Sequence, residues 1–549
     1  MQPSRAQQSP AEPSRVLWIF TVNIQPLACS RVPPQPLVCD LIYRYRNDPL
    51  RTATPRSTRC NVGTCSRKST PSPLKTTQDT MGNKHSSPLQ GCLDSVCTGH
   101  RDCVAFPGDV LYDALWVRPY NLDAPVTPAA VIRPSTSAMV SNAVKCAVQH
   151  GASVQARSGG HSYGNYGLGG RDGAVVVDLL NFKDFSMDAN NWTASFGAGL
   201  RLGELDKKLH DNGRRAIPHG TCPGVGVGGQ AVVGGLGPSS RMWGNMVDHI
   251  LEVEVVTAKG EVQRASQHQN ADLFWALRGA GPSFGIVTKL WMRTHPEPDS
   301  VVEYTYDISF GDPSLDRRFS SLFIIHPLGA VITGTFYGSQ RELQQTGILD
   351  RLPSRGSVRL GDWLGSVVHV FESLILQLAD VPTHFFSKSL ALRRQDLLDR
   401  KETDALFDYL DRATPPMVLM FNTEGGAVAD VPLNQTSYPH RDKVIIYQSY
   451  VIEAFGVSDE NKRFLEGVHK RIKRDTPLNA STYAGYVDMA PNRSEAQLAY
   501  WGDLLPQLQQ IKQNWDPSDV FRNPQSVEPA GAIAASCQSN RVAACPMGQ

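Results

Sequence analysis

The order of apolar and polar residues between positions 134 and 178 predicts one helix followed by one strand. Ser135 or Thr136 can cap the start of a helix over residues 134–151, and Gly151 can end it. Residues 174–178 (Ala-Val-Val-Val-Asp) form a short apolar run typical of a buried strand. The apolar stripe of the helix consists of Val140, Ala143, Val144, Ala147 and Val148.

Further elements follow up to residue 290. A short strand over residues 153–156 leads into a loop, and leucines at helical spacing predict a helix that ends near Gly213. The segment Ala258-Lys259-Gly260 separates two strand-like stretches and predicts a hairpin. A helix over 271–278 and a strand over 286–290 complete a mixture that predicts an α+β fold.

Beyond about residue 297 the pattern changes to longer alternating stretches. Residues 301–307 and 443–451 alternate as strands do, and helical patterns lie between them. The glycine-rich loops of the preceding part stop here. This change predicts a second domain.

Residues 1–80 differ in composition from the rest of the chain. They hold eleven Lys or Arg against four Asp or Glu and are rich in Pro, Ser and Thr, which predicts disorder. Three interpretations remain open: a secretory signal built on the apolar run 16–24, an organelle transit peptide, or an upstream extension foreign to the working protein. The third is favoured, with Met81 as the start. Residues 81–86 then match the N-myristoylation pattern at Gly82.

Charge and cysteine content argue against several kinds of partner. The net charge of +2 gives no reason to expect a nucleic acid, and no run of 18 apolar residues predicts a membrane span. Eleven cysteines include no Cys-x-x-Cys pair, so no zinc or other metal site is expected. A disulfide within the cluster Cys92, Cys97 and Cys103 is expected if the protein is secreted. A cytoplasmic location is favoured, with secretion as the alternative.

Two glycine-rich loops each carry one nucleophilic side chain. His161 lies in the loop 157–170 and Cys222 lies in the loop 220–229. Glycine lets backbone amides approach a ligand closely, so such loops suit a phosphate-bearing cofactor. A nitrogen and a sulfur nucleophile beside one cofactor indicate covalent attachment at two points. The residues expected at the cofactor are Ser158, Gly159, Gly160, His161, Ser162, Cys222, Val225, Gly226, Gly228 and Gly229.

These loops resemble those of the berberine-bridge-enzyme-like branch of the FAD-linked oxidases, and the resemblance extends over roughly residues 92–530. In that family the histidine of the first loop bonds the 8α-methyl group of the isoalloxazine, and the cysteine of the second bonds ring carbon 6. The resemblance therefore implies a bicovalent FAD on His161 and Cys222. Residues 515–526 are similar to the family's closing signature. Gly285-Ile286-Val287 is similar to the segment beside the adenine of FAD.

The resemblance also implies an architecture. The family has the vanillyl-alcohol-oxidase (VAO/PCMH) fold, an α+β arrangement of a two-part FAD-binding domain and a substrate domain with an antiparallel sheet. On this chain the FAD-binding domain is expected over 92–298 and the substrate domain over 299–484. Residues 485–530 are expected to return to the FAD-binding domain, followed by a tail over 531–549.

Residues 224–229 also fit the dinucleotide pattern Gly-x-Gly-x-x-Gly, with Asp248 about 20 residues further on. That site needs a strand before the glycines and a helix after them. Cys222-Pro223 precedes them, and Gly234, Gly235 and Gly237 disfavour a helix. An NAD site is therefore not expected.

Tyr486-Val487-Asp488 contains the best candidate for a catalytic base. If these residues form a strand, Tyr486 and Asp488 share one face and can both point at the flavin. Sugar oxidases of the family place a catalytic tyrosine in a Tyr-x-Asp context. A phenol has an ordinary pKa near 10, so its proton must be relayed or its pKa lowered at neutral pH.

Two more residues match family positions around the substrate. Tyr163 corresponds to a substrate-contacting tyrosine of the oligosaccharide oxidases. Val225 corresponds to the oxygen gate, where a small residue indicates an oxidase rather than a dehydrogenase.

The chain also departs from the family's sugar oxidases. It has Met420 and Asn422 near the usual places of an acidic residue and a glutamine, with Glu424 displaced. Gln230 replaces a histidine that many relatives carry. These changes leave flavin binding intact but put a sugar substrate in doubt.

Together these features predict an FAD-dependent oxidase that acts on a small specialised metabolite by alcohol oxidation, desaturation or oxidative cyclisation, with O2 reduced to H2O2. An extracellular oligosaccharide oxidase acting at the reducing-end C1 hydroxyl is one alternative, favoured by Tyr163 and residues 499–502. A flavin dehydrogenase with another electron acceptor is a second. The expected partners are the small-molecule substrate and O2, and the chain is expected to be a monomer.

Overall fold

The computed structural model of the chain describes residues 87–306, 319–326, 329–351, 356–366, 382–411, 416–474 and 481–531. The predicted N-terminal extension, the myristoylation motif at 81–86 and residues 532–549 of the tail lie outside the described residues. None of the described helices is long and apolar enough to cross a bilayer.

The first part of the FAD-binding region is a small, mostly parallel sheet. Its strand order is β1-β2-β4-β3, with β2, β4 and β3 parallel. The predicted helix over 134–151 is present, and Thr136 rather than Ser135 caps it, because the Thr136 hydroxyl accepts a hydrogen bond from Met139 N at 3.2 Å. The elements are α1 (Pro88–Val96), β1 (Val104–Ala105), β2 (Ala130–Ile132), α2 (Ser137–Gln149), β3 (Val154–Arg157) and β4 (Val175–Asp178).

The second part is a five-stranded antiparallel sheet in the order β5-β6-β10-β8-β9. The predicted hairpin is β8 and β9, and β7 pairs with β11. Both sheets and the helices between them share one hydrophobic core. The elements are β5 (Phe185–Asp188), β6 (Thr193–Gly197), α3 (Leu202–Asp211), β7 (Arg215–Ala216), α4 (Val227–Val233), α5 (Ser240–Trp243), β8 (Ile250–Val256), β9 (Val262–Ser266), α6 (Ala271–Ala280), β10 (Ile286–Arg293) and β11 (His295–Pro296).

The following region contains a seven-stranded antiparallel sheet in the order β15-β12-β14-β13-β17-β18-β16. The strands predicted over 301–307 and 443–451 are β12 and β18. The elements are β12 (Val301–Tyr306), β13 (Phe319–His326), β14 (Gly329–Tyr337), α7 (Gln340–Gln345), β15 (Gly356–Gly361), β16 (His384–Leu392), α8 (Arg400–Leu410), β17 (Met417–Thr423), α9 (Ala427–Asp430), β18 (Ile445–Glu453) and α10 (Asp459–Lys473).

The two faces of this sheet have different environments. Side chains alternate along a strand, so Leu419 and Phe421 of β17 pack with apolar residues of α8 and α10. Val418 and Met420 lie on the opposite face and line a cavity. The sheet therefore has one face for its core and one face for a ligand.

The chain then returns to the first two sheets through α11 (Arg493–Trp501) and α12 (Leu505–Trp515). The indole of Trp501 donates to Gly279 O at 3.2 Å, and Val154 N donates to Val520 O at 2.9 Å. Lys512 is fully buried and donates to Ser283 O and to Asp516. These bonds attach the C-terminal segment to β3 and to the loop after α6.

Two disulfides brace the start of the described chain. Cys97 pairs with Cys103 inside the predicted cluster, but Cys92 pairs with Cys146 of α2. The sequence offered no signal for that second pairing, because Cys146 becomes a neighbour of Cys92 only when α1 packs against α2.

The Cys92–Cys146 bond is expected to contribute more to stability than the Cys97–Cys103 bond. It closes a separation of 54 residues against 6, and the chain-entropy relation then gives about 4 against about 2 kcal/mol. Urea unfolding of the two double Cys→Ser variants measures the difference. Equal losses in the free energy of unfolding would contradict this ranking.

Candidate active site

A cavity of about 320 Å³ lies between the glycine loops and the seven-stranded sheet, a size usual for a small-molecule site. The predicted site residues on its lining are Ser158, Gly159, Gly160, His161, Ser162, Tyr163, Cys222, Val225, Gly226, Gly229 and Tyr486. The sheet contributes Leu322, Val418, Met420, Asn422, Gln448, Tyr450 and Ile452.

The loop with His161 begins where β3 ends. Arg157 at that end is buried and pairs with Asp178 of β4 at 2.7 Å, which fixes the origin of the loop. Burial, with a smaller effect of the Arg201 charge, lowers the pKa of His161 to about 4. The imidazole is therefore neutral at neutral pH and keeps a lone pair for bond formation.

The loop with Cys222 lies beside it and leads into α4. Cys222 takes part in neither disulfide of the described chain and lines the cavity. The expectation that no helix follows these glycines is wrong, because α4 runs from Val227 to Val233 before Gly234 ends it. The residues before Gly224 form a turn rather than a strand, so the dinucleotide geometry is still not met.

The two loops touch through glycines. A Cβ atom on Gly159 would overlap the main-chain nitrogen of Gly226, and one on Gly226 would overlap that of Gly159. Arg201 lies across the contact and donates to Gly159 O and Gly224 O. This contact holds His161 and Cys222 on one cavity.

We expect Gly226→Ala to separate the loops and to destabilise the protein by about 3 kcal/mol. The fraction of chains that carry a covalent cofactor should fall together with the stability. The absorbance of the denatured protein measures this fraction. Gly91→Ala in α1 is the control, since a Cβ there meets nothing within 4 Å. Full cofactor content in the Gly226 variant would show that the contact is not required.

Five predicted site residues do not line the cavity. Ile286 and Val287 form the buried start of β10 against β8 and Gly285 directly precedes it, and the cavity is lined instead by Gly279, Ala280, Pro282 and Ser283 just before them. Gly228 lies in the first turn of α4 and is buried against Ala198. The fifth is Asp488.

The prediction that Asp488 shares a strand face with Tyr486 is wrong. Residues 481–491 form turns and bends rather than a strand. The Asp488 carboxylate is buried against Lys388 of β16 at 3.1 Å and also accepts from Ala490 N. It therefore anchors this segment to the sheet, while the Tyr486 ring enters the cavity.

Tyr486 belongs to a cluster of phenol and amide groups. Its ring is parallel to that of Tyr163, with centroids 6.2 Å apart. The Tyr450 hydroxyl donates to Oε1 of Gln448, and the Tyr163 hydroxyl lies 2.5 Å from the Tyr450 oxygen and 3.4 Å from the same Oε1. Burial raises the pKa of Tyr486, and a hydrogen bond with Gln448 opposes this rise in part. The phenol is therefore protonated at neutral pH before any substrate arrives.

Sequence reasoning missed many lining residues, among them Tyr120, Gln448 and Tyr450. Tyr120 packs on His161 with ring centroids 4.7 Å apart, and Gln448 and Tyr450 belong to a strand that the pattern did predict. Gln448 and Tyr450 are two residues apart, so the sequence predicts that they share one face of β18. The sequence does not predict that this face lines the cavity, because either face of a strand can be buried.

The lining fits a flavin dinucleotide. Oε1 of Gln230 is buried beside the glycine loops without a hydrogen-bond partner among the described residues, so a ligand donor can satisfy it. The glycine contact brings the two loops together at the cavity, and both His161 and Cys222 line it. Within the described ranges, no three His, Cys, Asp or Glu side chains are grouped as a metal site.

Comparison with known proteins gives the same cofactor. A family model described as FAD binding domain matches residues 128–266, and one described as Berberine and berberine like matches residues 482–528.

Two curated relatives cover most of the chain. The FAD-linked oxidoreductase sorD of Penicillium rubens is 35% identical, over 80% of this chain and 98% of the relative. The xylooligosaccharide oxidase of Thermothelomyces thermophilus is 33% identical, over 75% of this chain and 89% of the relative.

A solved glucooligosaccharide oxidase from Acremonium strictum, reported with a 6-S-cysteinyl, 8α-N1-histidyl FAD, superposes with a TM-score of 0.73 at 29% identity, over 81% of this chain and 99% of that one. The predicted VAO-type fold and the FAD cofactor are confirmed. In that protein FAD is attached through a cysteine and a histidine, and in this chain Cys222 and His161 lie on one cavity. The chain belongs to the berberine-bridge-enzyme-like family of FAD-linked oxidoreductases.

Proposed function

We propose that this protein oxidises a saccharide at the C1 hydroxyl of its reducing end and reduces O2 to H2O2. The observation that carries the proposal is the cluster of Tyr163, Gln448 and Tyr450 beside Tyr486. A few convergent polar groups in a small cavity can orient a substrate with several hydroxyl groups.

The relatives support the same substrate class. The xylooligosaccharide and glucooligosaccharide oxidases match most of this chain. The sequence by itself favours a specialised metabolite, but these relatives and the hydroxyl-binding cluster support the saccharide alternative better.

Each group in the cavity has a role in this proposal. Tyr486, once its phenol has lost its own proton to solvent, accepts the proton of the substrate hydroxyl as hydride leaves the same carbon. FAD, when bound, would supply the acceptor for that hydride and pass the electrons to O2. Tyr163 and Gln448 would orient the substrate, and His161 and Cys222 would hold the flavin.

Val225 is proposed to leave an approach for O2. It lines the cavity three residues after Cys222, and its side chain is only partly buried. A larger side chain here would narrow the space beside the flavin, which is the structural distinction we propose between this oxidase and a dehydrogenase.

A second candidate substrate is a less polar hydroxylated metabolite. Leu322, Val418 and Met420 form an apolar part of the lining on β13 and β17. The hydroxyl groups of a saccharide find no hydrogen-bond partner on this apolar surface. A ring or chain of carbon atoms would instead bury the surface and be stabilised by the hydrophobic effect. The similarity to sorD is compatible with either substrate.

The two disulfides support secretion as the compartment of this activity. Disulfides persist in oxidising environments and are rare in the cytosol. We therefore propose secretion instead of the cytoplasmic location that the sequence favours. Thiol titration of protein from the culture fluid and from the cell tests in which compartment these cysteines are paired.

The first experiment is H2O2 release by a chain of residues 81–549 with xylobiose, cellobiose, maltose and chitobiose. The denatured protein should be yellow, because FAD stays attached. Peroxide with one of these disaccharides supports the proposal. If none of them reduces the flavin while dithionite does, the saccharide proposal fails and the apolar metabolite replaces it. Reoxidation of the reduced flavin by a quinone but not by air would make the protein a dehydrogenase.

A further inference from the structure

His219 is a buried histidine directly before the loop with Cys222. Its Nε2 lies 2.6 Å from Oδ1 of Asp206 on α3, and its Nδ1 lies 2.7 Å from Gly220 O. Because a carboxylate and a carbonyl oxygen both accept hydrogen bonds, both ring nitrogens donate and the imidazole carries a positive charge. The His219 side chain is 5% exposed and that of Asp206 is 4% exposed. Neither residue lines the active-site cavity.

The surroundings of His219 favour this charged form. Burial by itself would lower the pKa of His219, but the charge of Asp206 and the hydrogen bonds with Asp206 and Gly220 raise it above the ordinary value of 6.5. A displaced imidazole would leave two acceptors buried without a donor, which is costly. His219 is therefore held in one orientation relative to α3.

The chain on the other side of Cys222 is also attached to α3. Leu202 and Gly203 begin this helix, so their amide groups have no partner within it. Leu202 N donates to Val225 O at 3.0 Å, and Gly203 N donates to Pro223 O at 3.1 Å. A Cβ atom on Gly203 would come within 2.9 Å of the Pro223 side chain, so the loop lies directly on the helix. These contacts fix the loop just after Cys222.

The chain just before Cys222 is less closely packed. Gly220 and Thr221 line the active-site cavity and also border a second cavity of about 20 Å³. They therefore have open space beside them in two places. The hydrogen bond from His219 Nδ1 to Gly220 O supplies a fixed point in this part of the loop.

We infer that His219 is a positioning residue for Cys222: its imidazolium, held by Asp206, fixes the Gly220 carbonyl and so the path of the main chain into the cysteine. The loop is then attached to α3 both before and after Cys222. With both sides fixed, the sulfur has a defined position at the cavity from which to bond ring carbon 6 of FAD.

The attachment reaction that this geometry serves is an oxidation. The S–H bond of Cys222 and the C–H bond at ring carbon 6 break, and one S–C bond forms. The two electrons and two protons that are released pass through the flavin to O2, which becomes H2O2. His219 takes no part in these bond changes and acts only on the position of the thiol.

The test compares His219→Gln with His219→Asn in the full-length protein purified with its FAD. The amide nitrogen of asparagine lies near the place of Nδ1 and can donate to Gly220 O, whereas that of glutamine lies near the place of Nε2, beside Asp206. We expect His219→Asn to keep the bond between Cys222 and the flavin. In His219→Gln this bond should become about tenfold rarer or more, since a displacement of about 1 Å can slow a positioned reaction about 100-fold. Both variants should keep the bond to His161.

Peptide mapping separates the two flavin bonds. Trypsin places His161 in the peptide 158–171 and Cys222 in the peptide 216–241. In the wild type one flavin should join these two peptides, which mass spectrometry detects as one species. In His219→Gln the peptide 158–171 should carry the flavin alone, and the Cys222 thiol should react with iodoacetamide after denaturation. No substrate is needed, so the result is independent of the saccharide proposal.

His210→Gln is the matched control. His210 lies one turn beyond Asp206 on the same helix, pairs with the carboxylate of Glu297 at 2.9 Å and does not line the cavity. This variant removes a histidine–carboxylate pair from α3 without touching the pair at His219. It should give joined peptides at the wild-type level.

Four outcomes would overturn the inference. Joined peptides at the wild-type level in His219→Gln would show that the bond to Gly220 O is not required. Equal losses in His219→Gln and His219→Asn would assign the effect to the charge or packing of His219 instead. Loss of flavin from both peptides, or failure of His219→Gln to fold, would make His219 a residue of general stability. Unjoined peptides in the wild type would show that Cys222 forms no bond to position.

Discussion

Replacing Tyr486 with phenylalanine is expected to lower kcat by about 100-fold or more, which is the usual effect of removing a general base. Phenylalanine keeps the ring that lies parallel to Tyr163 and edge-on to Tyr483. Only the hydroxyl that accepts the substrate proton is lost. Covalent FAD content should be unchanged, because His161 and Cys222 lie on other loops. Flavin reduction in an anaerobic stopped-flow experiment measures the effect directly.

Tyr112→Phe provides the control for the Tyr486 variant. The Tyr112 hydroxyl is buried and donates to Pro128 O at 2.9 Å, outside the cavity. Its loss should cost about 1 kcal/mol of stability and leave kcat unchanged. If Tyr486→Phe retains a rate within tenfold of the wild type, Tyr486 is not the base, and Tyr163 becomes the next candidate.

The variant His161→Ala/Cys222→Ala is expected to lose all covalently bound flavin, from one per chain to none. Each single variant should keep one bond, because the two nucleophiles come from separate loops that meet at one cavity. Since the pKa of His161 is lowered to about 4, its imidazole is a neutral nucleophile throughout the neutral range. Denaturation followed by absorbance and by fluorescence in a gel separates attached from dissociated flavin.

His268→Ala is the control for the attachment experiment, because His268 lies on an exposed turn outside the cavity. It should keep one covalent flavin per chain. Flavin that stays attached in the double variant would assign the bond to another residue, whereas loss of all attachment in one single variant would mean that one bond depends on the other.

The expected behaviour of both variants comes from the way the cavity is assembled. The glycine loops supply groups for the cofactor, and one face of the seven-stranded sheet supplies groups for the substrate. The turn at residues 483–487 lies between them and carries Tyr486. Variation on the sheet face can therefore change the substrate without disturbing FAD attachment.

Local patterns in the sequence were sufficient for the cofactor and for most elements of the first domain. His161 and Cys222 lie within a few residues of the glycines that expose them, so the neighbouring sequence is sufficient to predict their role. The helix over 134–151 and the hairpin around residue 260 are also local, since their apolar spacing and turn residues are contiguous. A resemblance to one family supplied the fold and the flavin, and both are confirmed.

Only the tertiary structure decided which residues face one another across the cavity. The pattern predicted β18, but pairing with β16 and β17 determines that Gln448 and Tyr450 face the ligand. Asp488 was assigned to the flavin from its spacing, and the turn at that point directs it to Lys388 instead. The pairing of Cys146 with Cys92 had no sequence signal, because the two residues are 54 apart in the chain. Contacts of this kind arise from packing between elements, and no local spacing of residues encodes them.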